Sequence, residues 1–267
     1  MVILKTLYDF LIAKLIMKIT FLGTGTSTGV PEIGCGCIVC KSDDLKDKRL
    51  RSSILIDVED KRILIDATPD FRAQIMNLPF HKINGVLISH EHYDHVGGLD
   101  DMRPFGQFGE IDIYAEMKVS KALKSRIPYC FMPVQYAGIP NLRVIEITTK
   151  PFMIEDIEII PIRVMHHNLP ILGFRIGDFA YLTDVKTVPE DELHKLEDLK
   201  ILVVSALRKS KHVSHQNLDQ AIDLTHKINP EMTYLTHLSH QMGLHNVIEQ
   251  ELEKSISIAY DGLEIDI

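Results

Sequence analysis

Residues 89–98 read Ser-His-Glu-His-Tyr-Asp-His-Val-Gly-Gly, which places His90, His92, Asp94 and His95 within six positions. Imidazole and carboxylate are ligands for zinc, manganese or iron. On a helix, ligands for one ion would share a face at i and i+4. The spacing here, H-x-H-x-D-H, instead suits a loop wrapped around two ions. A single histidine is usually an ordinary surface or core residue. Four ligand-type side chains packed this closely behind an apolar run, Gly85-Val86-Leu87-Ile88, point to a metal site delivered by the end of a buried strand.

Similar residues recur where other strand-like runs stop. Arg163-Val164-Met165 runs into the pair His166-His167, Tyr181-Leu182-Thr183 into Asp184, and Tyr234-Leu235-Thr236 into His237-Leu238-Ser239-His240. Each is weak alone. Together they predict several strand ends supplying ligands to one sheet edge. Cys35, Cys37 and Cys40 form a separate C-x-C-x-x-C triplet, with Gly36 between the first two. Three thiolates fill three corners of a tetrahedron, and a closed structural zinc site needs a fourth ligand. Cys130 stands apart and reads as a small core residue. His215, with His212 as its alternative, lies in the stretch His212-Val213-Ser214-His215-Gln216-Asn217 before a helical pattern. His81, His194 and His226 read as surface residues, and His245 is left open.

The elements that must position these groups are mostly strands. Ile19 to Leu22 runs into a Gly-rich turn, residues 23–29, which lacks the Gly-Lys-Ser/Thr ending of a nucleotide-binding P-loop and reads as a turn where backbones approach closely. Residues 52–58 and 62–66 read as a hairpin, and Pro69 to Leu78 as a short helix with Asp66 and Thr68 as caps. Val86 to Ser89 is a strand, and Val96 to Leu99 opens a helix whose amide end would favour anions near the metals. From 102 to 141 the pattern weakens around a strand at Ile111 to Tyr114 and a helix at Lys118 to Lys124; this segment is placed near the site mouth, where it would select substrate. Further strands follow at 143–147, 157–164, 173–176, 179–183, 201–205 and 232–236, with helical patterns at 190–196, 216–228 and 245–253. Strands in each half followed by helices predict an α/β (α+β) fold, a four-layer αββα sandwich.

The chain has 267 residues, of which 45% are hydrophobic, enough for a sizeable core. Residues 17–267 read as one domain and residues 1–16 as an extra segment, either a helix or a start-site extension. That segment carries Lys5, Asp9 and Lys14, so it is a poor membrane span and a poor secretory signal. A formal net charge of −8 argues against a grip on long nucleic acid, which needs Lys and Arg at phosphates. The clustered cysteines suit metal binding in a reducing compartment, the cytoplasm, rather than a disulfide framework.

Taken together, H-x-H-x-D-H followed by His, Asp and His resembles the ligand series of the metallo-β-lactamase superfamily, from Met17 to the C-terminus. Within it, the cysteine triplet and the Thr236-His237-Leu238-Ser239-His240 ending are similar to the phosphoribosyl cyclic phosphodiesterases. This resemblance implies His90, His92 and His166 on a first ion, Asp94, His95 and His237 on a second, and Asp184 between them. His167 is the alternative to His166. It also implies a structural zinc on Cys35, Cys37, Cys40 and His240, and a homodimer. The catalytic pair would be zinc or manganese, with iron as a third choice. Two such ions can share a hydroxide acidified to a pKa near 7, and Asp94 and His215 are the residues expected to serve the reaction directly, His215 as general acid to the leaving group. The expected activity is hydrolysis of a small phosphodiester, linear or cyclic. Two alternatives share the scaffold: a tRNA 3′-processing-type endonuclease and a thioester or lactone hydrolase. A metal-binding interaction protein that keeps the fold is the non-enzyme alternative. His92 stands where flavin-linked di-iron relatives carry Glu, which favours hydrolysis over redox chemistry.

Overall fold

The computed structural model describes residues 17–132 and 138–267; the expectations for residues 1–16 lie outside the described residues. Two seven-stranded sheets face each other. The first contains β1 (Met17–Gly23), β2 (Ser53–Val58), β3 (Lys61–Ile65), β4 (Gly85–Leu87), β5 (Ile111–Glu116), β6 (Leu142–Ile147) and β14 (Glu264–Asp266), in the order β14-β1-β2-β3-β4-β5-β6. The second contains β7 (Phe152–Ile154), β8 (Ile157–His166), β9 (Leu169–Ile176), β10 (Phe179–Leu182), β11 (Ile201–Ser205), β12 (Met232–Thr236) and β13 (Ile256–Ile258), in the order β13-β12-β11-β10-β9-β8-β7. The α-helices among the described residues are α1 (Phe71–Ile75), α2 (Tyr93–Val96), α3 (Met117–Arg126), α4 (Leu218–Ile228) and α5 (His245–Glu251). None is long and apolar enough to cross a membrane.

Side-chain alternation along each strand builds the layers. In β2, Ile54 and Ile56 face the second sheet and pack with Phe174, Phe179, Tyr181 and Val203. Leu55, between them, faces outward and packs with Phe71, Leu99, Val119 and Leu123. On the far side, Leu182, Val204 and Leu235 lie under Leu218, Ala221, Leu224 and Ile248 of the outer helices. Both faces of the central strands are therefore buried, which is why their sequences are nearly continuous apolar runs. This is the four-layer αββα sandwich that the sequence predicts.

Direction matters more than layering for the site. β3, β4, β5 and β6 run parallel, as do β10, β11, β12 and β13. β8 pairs antiparallel with β9, which pairs antiparallel with β10, so β8 and β10 point the same way. Parallel strands deliver their carboxyl ends, and whatever follows them, to one edge. Ser89, just past β4, accepts a hydrogen bond from Leu172 N at 3.1 Å and ties the two sheets together there.

Local departures from expectation have identifiable causes. The helix expected at Val96 to Leu99 is instead α2, ending at Val96, followed by a 3₁₀ segment from Leu99 to Phe108. Gly98 makes the junction: its N–H donates to Ala67 O at 2.9 Å, and a Cβ there would sit 2.0 Å from Thr68 O. α4 starts at Leu218 rather than Gln216 because Gln216 spends its backbone groups on Val185 O and Leu207 N. Glu190–Leu196 is a 3₁₀ helix. The unpredicted strands β7, β13 and β14 each have three residues, too short for a periodic signal. The Gly-rich turn behaves as expected, since a Cβ on Gly23 would lie 2.0 Å from Arg51 O.

Candidate active site

His90 and His92 follow β4, Asp94 and His95 sit on α2, His166 ends β8, Asp184 lies two residues past β10, and His237 follows β12. Asp184 and His237 have φ of 52° and 58°, so the chain turns sharply as each strand stops. Such left-handed backbone is several-fold enriched in Asp and His. The ligand-type atoms of Asp94, His95, Asp184 and His237 all lie within 4.8 Å of one another. His95 Nε2 is 3.2 Å from Asp94 Oδ2 and 3.1 Å from Asp184 Oδ2, and His237 Nε2 is 3.3 Å from Asp184 Oδ2. A second group within the same limit is His166, Asp184 and His215, so Asp184 belongs to both. The His90 and His92 rings are 4.5 Å apart and lie 5.8 and 5.4 Å from the His166 ring.

The outer nitrogens of these rings are held by the protein. His95 Nδ1 lies 2.7 Å from Asp66 Oδ2. Ser89 Oγ donates to the same carboxylate oxygen at 2.7 Å, so it accepts from His90 Nδ1–H at 3.0 Å. His166 Nδ1 lies 3.0 Å from both Asp184 O and Ser214 O, which fixes the proton on Nδ1. This is how metal-binding imidazoles are oriented, with the other nitrogen left bare. His90 Nε2, His95 Nε2, His215 Nδ1 and both nitrogens of His237 are buried without a hydrogen-bond partner. Buried polar atoms are rarely left so. A cation among them would satisfy His90 Nε2, His95 Nε2 and one nitrogen of His237, and the mixed nitrogen and oxygen donors suit zinc, manganese or iron. The residues present therefore fit a divalent metal site.

Charge tells the same story. Burial works against a charged His95, but Asp184, Asp94 and Asp66 prevail and push it well above the usual histidine range. Burial would raise Asp184, yet His237 and His95 hold it well below the usual carboxylate range, and His95 does the same for Asp94. Burial, then His95, keeps His90 neutral. The pocket thus concentrates negative potential that a cation would neutralise.

Asp66 is the residue that the sequence reading misplaced. Expected to cap α1, it is fully buried with φ of 63° and anchors Ser89 and His95 instead. The signal was present: Ile65-Asp66 is an apolar strand ending in a carboxylate, like Leu182-Thr183-Asp184. Thr68 does play a turn role, accepting from Asp70 N at 3.1 Å.

His215 reaches the cluster, with its ring 4.5 Å from His166 and 4.9 Å from His237 and its Nδ1 3.6 Å from Asp184 Oδ1. Burial, then His237, pushes its pKa down to about 3. His212 stays at the rim, accepting from Ser214 N at 3.3 Å. His167 is exposed while His166 is buried, and both line an open hollow of about 440 Å³ with His92, Asn168, Leu169 and Ser214. The segment after residue 102 touches the ligand loop at Glu91, where Lys118 pairs with the carboxylate at 2.8 Å and Arg126 donates to the backbone oxygen. His81, His194 and His226 are exposed, and His245 is buried with Nδ1 3.2 Å from Arg49. Cys130 is fully buried.

The cysteines form a separate centre. Sγ of Cys35 and of Cys37 lie 3.2 and 3.3 Å from His240 Nδ1, and all four ligand atoms of Cys35, Cys37, Cys40 and His240 fall within 4.8 Å of one another. The backbone N–H of Cys40 and the His240 ring pull Cys37 down to about 6, whereas burial pushes Cys40 up to about 11. Three sulfurs and one nitrogen match a closed tetrahedral zinc site.

Comparison with known proteins decides the family. Residues 61–238 match the beta-lactamase superfamily domain. A solved structure described as a new diphosphatase from the PhnP family superposes with a TM-score of 0.89 at 35% identity, covering 95% of this chain and 98% of that one. The chain belongs to the metallo-β-lactamase superfamily. Among curated relatives of this superfamily member, the octanoyltransferase of Porphyromonas gingivalis is 44% identical over 251 residues, 93% of this chain but 51% of that protein. Coenzyme PQQ synthesis protein B of Rhodopseudomonas palustris is 33% identical over 122 residues, 41% of this chain and 39% of that protein. The chain spans about half or less of the length of these curated relatives, so their names describe larger molecules. The match to the diphosphatase runs nearly end to end, and it supports a hydrolase built on this metallo-β-lactamase scaffold.

Proposed function

We propose that the chain is a dinuclear metal-dependent phosphodiesterase acting on a small linear or cyclic phosphodiester. The observation that carries this reading is Asp184, shared by two ligand groups and ringed by buried imidazole nitrogens that lack partners. His90, His92 and His166 would hold one cation, and Asp94, His95 and His237 the other, with Asp184 common to both. Such a pair supplies Lewis acidity toward phosphoryl oxygens and an acidified water as nucleophile.

The chain's own residues do the rest. Asp66 and Ser89 keep His95 and His90 in one orientation, so no reorganisation is needed as charge develops. His215, neutral before substrate binds, faces the place where an anionic ester would lie. Beside the ester's negative charge His215 would take up one proton from solvent and give it to the leaving oxygen as the P–O bond breaks, while the attacking water releases one proton to solvent as its oxygen bonds to phosphorus. The cysteine centre holds its loop and stays out of the chemistry. The diphosphatase relative supports chemistry at phosphorus and favours a second reading, in which the bond cleaved is a phosphoanhydride within a diphosphate diester.

The test is turnover by the metal-reconstituted chain of bis-p-nitrophenyl phosphate, cyclic phosphodiesters, a diphosphate diester, a thioester and a tRNA precursor. Hydrolysis of a phosphodiester or diphosphate diester with Mn²⁺ or Zn²⁺, and loss on chelation, is the expected result. Thioester turnover alone, or precursor cleavage alone, would replace this proposal with the corresponding alternative.

A further inference from the structure

The loop that carries His215 is fastened by its backbone, and one side chain does much of the fastening. Lys186 lies two residues beyond Asp184. Its Nζ is 2.7 Å from His212 O, 3.0 Å from His215 O and 3.0 Å from Gln220 Oε1. An ammonium has three donors, and here all three meet neutral acceptors. The loop has further ties: Ser214 O lies 3.0 Å from His166 Nδ1, and Gln216 N donates to Val185 O at 3.0 Å. Gln220 Oε1 also accepts from Asn217 N at 3.3 Å, which links the lysine to the start of α4. The ring of His215, in contrast, has a buried Nδ1 with no hydrogen-bond partner. Neighbouring rings pack against it, and the hydrogen bonds that fix its residue are those of the main chain.

We infer that Lys186 is a positioning residue for the reaction: by clamping the carbonyls of His212 and His215 it aims the His215 imidazole at the leaving group, without touching the substrate. This rests on the phosphodiesterase reading above. Lys186 follows directly from the segment that bears Asp184, so the clamp couples His215 to the metal-ligand frame. A shift of about an ångström in such a group can cost on the order of a hundredfold in rate.

The experiment uses the metal-loaded chain with Lys186→Met, Lys186→Arg, His215→Ala and the double variant Lys186→Met/His215→Ala, assayed on phosphodiesters whose leaving groups range from p-nitrophenol to an alkyl alcohol. Lys186→Met should lower kcat roughly tenfold or more for the alkyl ester and less for the p-nitrophenyl ester, with KM little changed. The double variant should be no slower than His215→Ala, because the lysine acts through that ring. Lys186→Arg should recover most of the loss. Equal losses across all leaving groups, or losses that add in the double variant, overturn the inference. NMR of ¹³C-labelled histidine rings gives a readout free of turnover: the His215 signal should shift or broaden in Lys186→Met, and an unmoved signal overturns the inference. Should Lys186→Met fail to fold, Lys186→Gln, which keeps one donor, is read in the same way. If the parent chain hydrolyses no phosphodiester, the proposed function fails while the ring signal still decides whether Lys186 holds His215.

Discussion

The two ligand clusters of this chain are built on opposite plans. The His/Asp cluster draws on the ends of β4, β8, β10 and β12, and its imidazoles are steered by Asp66, Ser89 and backbone carbonyls. Large apolar clusters stand behind those strands on both faces. The cysteine cluster takes three of its four ligands from one loop whose apolar support is little more than Val30, Val39 and Cys40. Ile33 and Ile38 on the same loop are 99% and 72% exposed. The loop's own N–H groups face the sulfurs: Glu32 N is 3.4 Å from Cys40 Sγ, and Cys40 N is 3.4 Å from Cys37 Sγ. The difference teaches what a metal would do in each place. In the first the protein prepares the site and a bound ion would be free to act on a substrate; in the second a bound ion would replace a missing core.

The comparison breaks most sharply at Asp184, the carboxylate common to both ligand groups. Asp184→Asn should remove measurable turnover and lower metal content while the fold and melting temperature stay close to the parent, as read by metal analysis and thermal unfolding. If turnover survives, Asp184 does not join two ions.

Cys40→Ser should do the reverse. The melting temperature should fall by on the order of 10 °C with loss of one bound ion, and turnover at low temperature should remain measurable. An unchanged melting temperature would show that the loop needs no metal staple.

A finer test is Asp66→Asn, which keeps volume but removes the charge facing His95. Outer partners of this kind are typically worth about 10–100-fold in metal affinity or activity. The expected result is a loss in that range, recovered in part by excess metal. An effect confined to stability would make Asp66 a purely architectural residue.

Much of this was legible in the chain itself. His90, His92, Asp94 and His95 announce themselves by density, and His166, Asp184 and His237 by following apolar runs. The central strands were readable because burial on both faces leaves long apolar stretches, as in Ile54-Leu55-Ile56. Edge strands β7, β13 and β14 were not, because three residues carry no period. The 3₁₀ segment at Leu99–Phe108 was missed because Gly98 is chosen for contact with Thr68, a neighbour distant in sequence.

The presence of candidate donor atoms and the strand patterning, then, were written in residue type and spacing, because donor atoms and side-chain alternation are local properties. Which nitrogen of each ring is left bare, that Asp66 faces His95 rather than a helix end, that His166 rather than His167 turns inward, and that His215 is held neutral beside Asp184 depend on distances between segments far apart in the chain. Only packing the two sheets against each other sets those distances, and with them the local dielectric and charge that govern each group.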